Sequence, residues 1–228
     1  MASIRFFDCE LKDCKGHVIP ADNTKRHIVI NVASECGYTN DNYQDLQSML
    51  ETIDGDKVNV YLYPCNDFGE QEPGTIEEVK AFCDSYGVLD YPNVYLMEKV
   101  VLKDSPLWHW LEYTNEGSTV YGYDFEAKWN FYKYFIDPDG SMWGLSYSHE
   151  SLLDEDVIDW INTPIVTKEK REELLSEIMV ADQEMGLYDV EDNSIHNPEL
   201  YSKIHGSEIE YTNKLKDYTL TGTTEEEK

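Results

Sequence analysis

The sequence predicts an α/β fold, a central mixed sheet of four or five strands with helices on both faces. Three observations carry this expectation. First, apolar and β-branched runs alternate with segments of helical spacing as far as about residue 162. Second, residues 27–32, 38–50 and 57–63 read strand, helix, strand, an order that requires a crossover and parallel pairing. Third, the aromatic run 129–136 is followed by Asp137, Pro138, Asp139 and Gly140 and then by residues 141–147, a turn signal that joins two antiparallel strands.

Each element has its own local reason. Residues 4–11 alternate, residues 13–16 form a turn, and Val18 and Ile19 pair back as a second arm. Cys9 and Cys14 flank that turn. Their spacing is not that of a zinc knuckle, so both are read as structural thiols. The strand at 27–32 runs into the helix at 38–50, whose apolar side carries Tyr43, Leu46, Met49 and Leu50. The strand at 57–63 ends in the long, turn-rich loop 64–74, the kind of connection that carries function. Thr75 caps the next helix and Glu78 completes a capping box, with Ile76, Val79, Phe82 and Cys83 on its apolar face. Residues 91–96 are a short strand containing Pro92. Ser105 and Pro106 start a helix that includes Trp108. Residues 117–128 are a loop, and 151–161 are a final helix with Leu152, Val157, Ile158, Trp160 and Ile161 apolar.

The character then changes. Residues 168–185 have amphipathic helical spacing, and 189–228 are polar and acidic. Residues 163–228 hold 16 Asp/Glu against 7 Lys/Arg, a net of −9. The expected organisation is a folded domain over 1–162 and an acidic, partly helical extension over 163–228. The extension is either a solvated tail or a docking segment for a protein partner.

The 228 residues carry a formal net charge of −28, which excludes nucleic acid and anionic membranes as natural partners. With 41% hydrophobic residues the chain can bury a core. No run of about 18 apolar residues occurs and the first residues lack an apolar signal segment, so a cytoplasmic protein without a membrane span is expected. Five irregularly spaced cysteines fit free thiols in a reducing compartment, where a disulfide is more often catalytic than structural.

The chemistry centres on residues 31–37, Asn-Val-Ala-Ser-Glu-Cys-Gly. Cys36 falls at a strand-to-helix turn, where unpaired N–H groups and the helix dipole stabilise a thiolate. A buried structural cysteine is the alternative. Three further stretches bear on the choice: residues 63–74 (Tyr-Pro-Cys-Asn-Asp-Phe-Gly-Glu-Gln-Glu-Pro-Gly), residues 106–110 (Pro-Leu-Trp-His-Trp) and residues 129–135 (Trp-Asn-Phe-Tyr-Lys-Tyr-Phe). In this order and over about residues 1–162, the set resembles the glutathione peroxidases.

The resemblance implies a thioredoxin-like fold and a thiol peroxidase of the cysteine type. It places the peroxidatic position at Cys36 and its catalytic partners at Gln71, Trp129 and Asn130. The two amides and the indole can donate hydrogen bonds around sulfur without acting as strong bases. It also matches Cys83 to the resolving cysteine of thioredoxin-dependent members, which implies a Cys36–Cys83 disulfide once Cys36 is oxidised to sulfenic acid. No metal or bound cofactor is implied. The co-substrates are a hydrogen or lipid hydroperoxide and a thiol reductant, thioredoxin or glutathione. Cys65 is read as structural. Asp67 and Tyr63 depart from the usual Gln and Phe. Against an acidic surface, only Lys80, Lys128 and Lys133 are candidates to hold anionic glutathione, which favours thioredoxin. A monomer is expected, because the insertion that shapes the tetramer interface is missing. The competing reading is a structural or partner-binding protein that uses the fold within an assembly.

Overall fold

The computed structural model describes residues 6–113 and 125–165, with the short pairs Tyr188–Asp189 and Ser194–Ile195. The chain divides into two compact units, Met1–Ile161 and Asn162–Lys228. The first holds a five-stranded sheet: β1 (Arg26–Val32), β2 (Val58–Pro64), β3 (Val94–Leu96), β4 (Lys133–Ile136) and β5 (Met142–Ser146). The spatial order is β3-β2-β1-β4-β5. β1, β2 and β3 pair in parallel, while β4 runs antiparallel to β1 and β5 antiparallel to β4. This is the mixed sheet read from the sequence, and it has the thioredoxin-like form that the family resemblance implies.

Strand periodicity divides the core between the two faces. Val94, Val60, Ile28 and Phe135 lie in register across four strands on one face. That face is covered by α1 (Thr39–Thr52), α2 (Ile76–Ser85) and α4 (Glu155–Asn162), which contribute Tyr43, Leu46, Val79, Cys83 and Trp160. Val29, Tyr61, Tyr134 and Ile136 point the other way, toward α3 (Pro106–Tyr113) and the N-terminal segment. The central strands β1 and β2 are buried at every position, as strands covered on both faces must be.

Local signals hold at several ends. Thr75 and Glu78 exchange both hydrogen bonds of a capping box, and the Ser105 hydroxyl accepts from the Trp108 N–H. Gly140 closes the β4–β5 turn at φ +83°. Val18 bridges Lys12, with the Ile19 N–H donating to the Leu11 carbonyl.

Four expectations need correction. Phe6–Asp8 is a 3-10 turn rather than an alternating strand, because Phe6 packs among His27, Tyr61 and Trp110. The third strand starts at Val94, since Tyr91–Asn93 turn back on themselves through the Val94 N–H to the Tyr91 carbonyl. The last helix starts at Glu155, because Ser151 and Leu152 are pinned to the Asp45 carboxylate. The aromatic run from 129 is a strand only from Lys133, and residues 129–131 form a turn with Phe131 at φ +65°. In the second unit β6 (Tyr188–Asp189) pairs antiparallel with β7 (Ser194–Ile195). The helix expected over 168–185 lies outside the described residues.

Candidate active site

Cys36 is the third residue before α1 and is 8% exposed. Its Sγ accepts from the Tyr38 N–H at 3.5 Å. Its own N–H donates to the Thr39 hydroxyl, which in turn donates to the Ala33 carbonyl at 2.7 Å. The turn expected from sequence is therefore closed by Thr39, the first helical residue, and the sulfur accepts from the Tyr38 N–H just before the helix start.

The loop after β2 is tied directly to this turn. The Glu35 N–H donates to the Gln71 carbonyl at 3.0 Å, and the Ser34 hydroxyl to the Glu72 carboxylate at 2.8 Å. Two successive left-handed residues, Gly69 at φ +64° and Glu70 at φ +54°, reverse the chain just before Gln71. For Glu70 that conformation costs about 1–2 kcal/mol. The buried Glu72 carboxyl is pushed above its ordinary range by burial, and the Ser34 hydroxyl only partly offsets this.

Asn130 is fully buried, and its Nδ2 donates to Gln71 Oε1 at 2.9 Å and to the Phe68 carbonyl at 3.5 Å. With Oε1 occupied, Nε2 is the end of Gln71 left to donate. Asn130 thus orients Gln71, where the sequence suggested that its own amide hydrogens face sulfur. Trp129 is 37% exposed and tilts against Phe68 at 6.1 Å between ring centroids. The arrangement joins Gln71 to Asn130 and leaves Trp129 partly exposed beside Phe68.

Cys83 lies in the last turn of α2, fully buried, with Tyr43 Oη 3.3 Å from its Sγ. Burial pushes its thiol up to about 11. Cys65 is fully buried beside Asp67 and pushed up to about 12, again by burial. Cys9 and Cys14 are half-buried thiols raised mainly by burial. All five cysteines are free thiols. Asp67, the departure in the loop motif, accepts from the Leu102 N–H at 2.8 Å and so acts as a clip between loops. Among the described residues, no three His, Cys, Asp or Glu side chains cluster as metal ligands would.

Of the candidate glutathione cations, Lys133 alone is withdrawn from solvent, while Lys80 and Lys128 lie in half-exposed surface ion pairs. Lys133 is fully buried and donates to three backbone carbonyls, so it cannot meet a soluble anion. Lys80 is paired with Asp84 at 2.6 Å, and Lys128 with Glu126.

Two residues around the site escaped sequence reasoning. Asn31 bonds both ends of the 129–132 turn through its side chain. It was detectable as the one polar residue in an otherwise apolar strand core, Ile28 to Val32. Lys99 donates to the Glu72 and Gly74 carbonyls at 2.7 and 2.6 Å, and no sequence pattern marks it.

Comparison with known proteins adds the following. A family model described as glutathione peroxidase matches residues 6–112. A probable phospholipid hydroperoxide glutathione peroxidase of Nicotiana sylvestris is 33% identical over 141 residues, spanning 60% of this chain and 79% of that protein. Glutathione peroxidase 7 of Mus musculus is 31% identical over 141 residues, 61% and 72% of the two chains. A probable mitochondrial phospholipid hydroperoxide glutathione peroxidase 6 of Arabidopsis thaliana is 35% identical over 141 residues, 60% of this chain and 58% of that protein. The crystal structure of "Trgpx in apo form" superposes with a TM-score of 0.51 at 27% identity, covering 72% of this chain and 99% of that one.

Proposed function

This chain belongs to the glutathione peroxidase family, and from that premise we propose that it is a thiol peroxidase working through Cys36. The observation that carries the reading is the junction of the Cys36 turn with Gln71 and Asn130, through the Glu35-to-Gln71 backbone bond and the Asn130-to-Gln71 side-chain bond. In the first step the Cys36 thiolate attacks the terminal oxygen of a hydroperoxide. The O–O bond breaks, the alkoxide takes a proton and leaves as an alcohol or water, and Cys36 becomes a sulfenic acid. The oriented Gln71 Nε2 and the Trp129 indole N–H are the donors suited to the charge that develops on the departing oxygen. Preorganised donors of this kind are worth about 10²–10³ in rate each.

In the second step the Cys83 sulfur displaces hydroxide from the Cys36 sulfenic acid, releasing water and forming an internal disulfide. A dithiol protein of the thioredoxin type then reduces that disulfide. Cys83 is buried on the core-facing side of α2 as a protonated thiol, so α2 must shift or unwind before the second step. The paired state of Lys80 and the burial of Lys133 support a protein dithiol over glutathione as the reductant.

Stopped-flow oxidation with hydrogen peroxide, followed by steady-state turnover with thioredoxin, tests both steps. Cys36→Ser abolishes oxidation. Cys83→Ser permits one stoichiometric oxidation of Cys36 and then stalls. Peroxide consumption that persists in Cys36→Ser overturns the reading, and normal cycling of Cys83→Ser with thioredoxin overturns the two-cysteine step.

A further inference from the structure

The turn that carries Trp129 and Asn130 is held by side chains from three separate places. The Trp129 carbonyl accepts from Asn31 Nδ2 at 3.0 Å, the Asn130 carbonyl from the Ser148 hydroxyl at 2.6 Å, and the Phe131 carbonyl from Lys133 Nζ at 3.3 Å. The N–H groups are held as firmly. Phe131 donates to the Asn31 carbonyl at 2.6 Å and Tyr132 to Asn31 Oδ1 at 2.9 Å. Asn31 belongs to β1, Lys133 to β4, and Ser148 to the segment after β5. All three side chains are buried.

A bulky aromatic at positive φ persists only where its surroundings over-determine it. Phe131 at φ +65° is such a residue, and each carbonyl of residues 129–131 is tied down individually. Lys133 is the more telling case. It stands in register with Ile30, on the face where the core packs, where an apolar side chain would otherwise be expected. Its ammonium crosses to the Phe131, Tyr147 and Glu150 carbonyls, so it fastens the turn to the segment bearing Ser148. That segment is fastened in turn to the Cys36 helix. Asn42 Nδ2 donates to both the Ser148 and Tyr38 carbonyls at 2.9 Å, and the Tyr38 N–H donates to Cys36 Sγ. A continuous set of hydrogen bonds therefore links the sulfur to the backbone of Asn130.

We propose that Asn31, Ser148 and Lys133 are positioning residues for the chemistry at Cys36: they hold the 129–131 turn in the single conformation that aims the Asn130 amide at Gln71 and sets Trp129 beside Phe68. None of them touches the sulfur. The inference rests on the peroxidase reading, because it is the peroxide step that needs donors at fixed positions. Alkylation of the same thiol by a neutral reagent has no departing oxygen to protonate and does not need them.

That contrast supplies the test. The second-order rates of Cys36 with hydrogen peroxide and with iodoacetamide are measured across pH for the wild type, Asn31→Asp, Ser148→Ala and Ser148→Thr, each with a thermal melt. Ser148→Ala removes one hydrogen bond to the turn and slows the peroxide reaction about tenfold, the rate equivalent of one such bond. Its alkylation profile stays close to the wild type, and its melting temperature falls by no more than the few degrees that one buried hydrogen bond is worth. Ser148→Thr, which keeps the hydroxyl, restores the peroxide rate. Asn31→Asp retains the acceptor for Tyr132 but loses the donor to Trp129, and slows the peroxide reaction by at least as much. Lys133 is left unmutated, since removing it orphans three carbonyls and endangers the fold. Wild-type peroxide rates in Ser148→Ala and Asn31→Asp overturn the inference, as does slowing of both reactions in parallel. If instead wild-type Cys36 prefers peroxide no more than a free thiol does, the peroxidase reading itself fails and takes the inference with it.

Discussion

Of the three basic residues buried in the sheet, Arg26, His27 and Lys133, the last two lie on opposite faces, and burial holds each toward its neutral form. On the α3 face, His27 donates from Nε2 to the Asp22 carbonyl at 2.9 Å and accepts at Nδ1 from the Tyr61 hydroxyl at 3.1 Å. Burial pushes it down to about 4. The unfolded chain therefore binds the His27 proton more readily than the folded one, and stability falls as pH drops from about 6.5 to about 4. The full span is worth about 3 kcal/mol at roughly 1.4 kcal/mol per pH unit. Urea unfolding at pH 7, 5.5 and 4.5 checks this: the wild type loses stability over that window, and His27→Gln loses distinctly less because its amide does not titrate there. On the other face, Lys133 is lowered to about 8 by burial. It is also the residue that sequence reading placed worst, as a surface cation for glutathione. Lys133 shares parity with Phe135 while Tyr132 and Tyr134 take the other face, and with aromatics on both sides the run does not say which face is buried, so a lysine is assigned to solvent by default. Only the pairing of Lys133 with Ile30 shows it entering the core. The residues that do the proposed chemistry were easier to read, because Cys36, Gln71, Trp129 and Asn130 sit in fixed motifs. What those motifs do not reveal is that the Asn130 amide is directed at Gln71.

At the scale of elements, the parallel β1–β2 pair, the antiparallel β4–β5 pair and the helix-covered faces follow from strand parity, the strand–helix–strand order and the 137–140 turn, whereas the order of the five strands does not. Boundaries were misjudged where a tertiary contact overrode local propensity. Trp129, Phe131 and Tyr132 favour strand, yet Asn130 interrupts them and Asn31 and Ser148 draw the segment into a turn. Ser151 and Leu152 look helical, yet Asp45 pins them before α4 starts. Helix α2 obeyed its signals, and the capping box formed as read. The element has to be stable enough to bury Cys83 beside Tyr43, and loose enough to release it once Cys36 is oxidised. If release requires the whole of α2 to unravel, weakening its N-terminal cap lowers the barrier to disulfide formation. Thr75→Ala removes about 1 kcal/mol of capping. The disulfide then forms about fivefold faster in rapid-quench experiments, with sulfenic acid formation at Cys36 unaltered. An unchanged disulfide rate means that only the last turn, which holds Cys83, frays open.

At the scale of the molecule the dominant fact is charge, −28 over 228 residues, of which residues 163–228 contribute −9. The motifs around Cys36 do not account for that extension, and its role was not legible in the sequence beyond its composition. The charge has a consequence for the reductant nonetheless. Glutathione is a net anion, and the lysines that could gather it are engaged: Lys80 with Asp84, Lys128 with Glu126, and Lys133 inside the core. With no cationic pocket among these residues, long-range repulsion sets the encounter rate, and salt weakens that repulsion. Raising ionic strength from about 0.01 M to about 1 M shortens the screening length from about 30 Å to about 3 Å. The rate at which glutathione reduces peroxide-oxidised protein should therefore rise with salt, by roughly tenfold, the low end of steering effects. Dithiothreitol, whose reacting thiolate carries one negative charge against two on that of glutathione, gives a shallower rise, and cysteamine, whose thiolate is a net-neutral zwitterion, gives a flat profile. A glutathione rate that falls with salt reveals a local cationic site strong enough to overcome the net charge, and returns glutathione to the position of favoured reductant. A rise graded with thiolate charge assigns the preference against glutathione to the field of the whole molecule rather than to any single residue at the site.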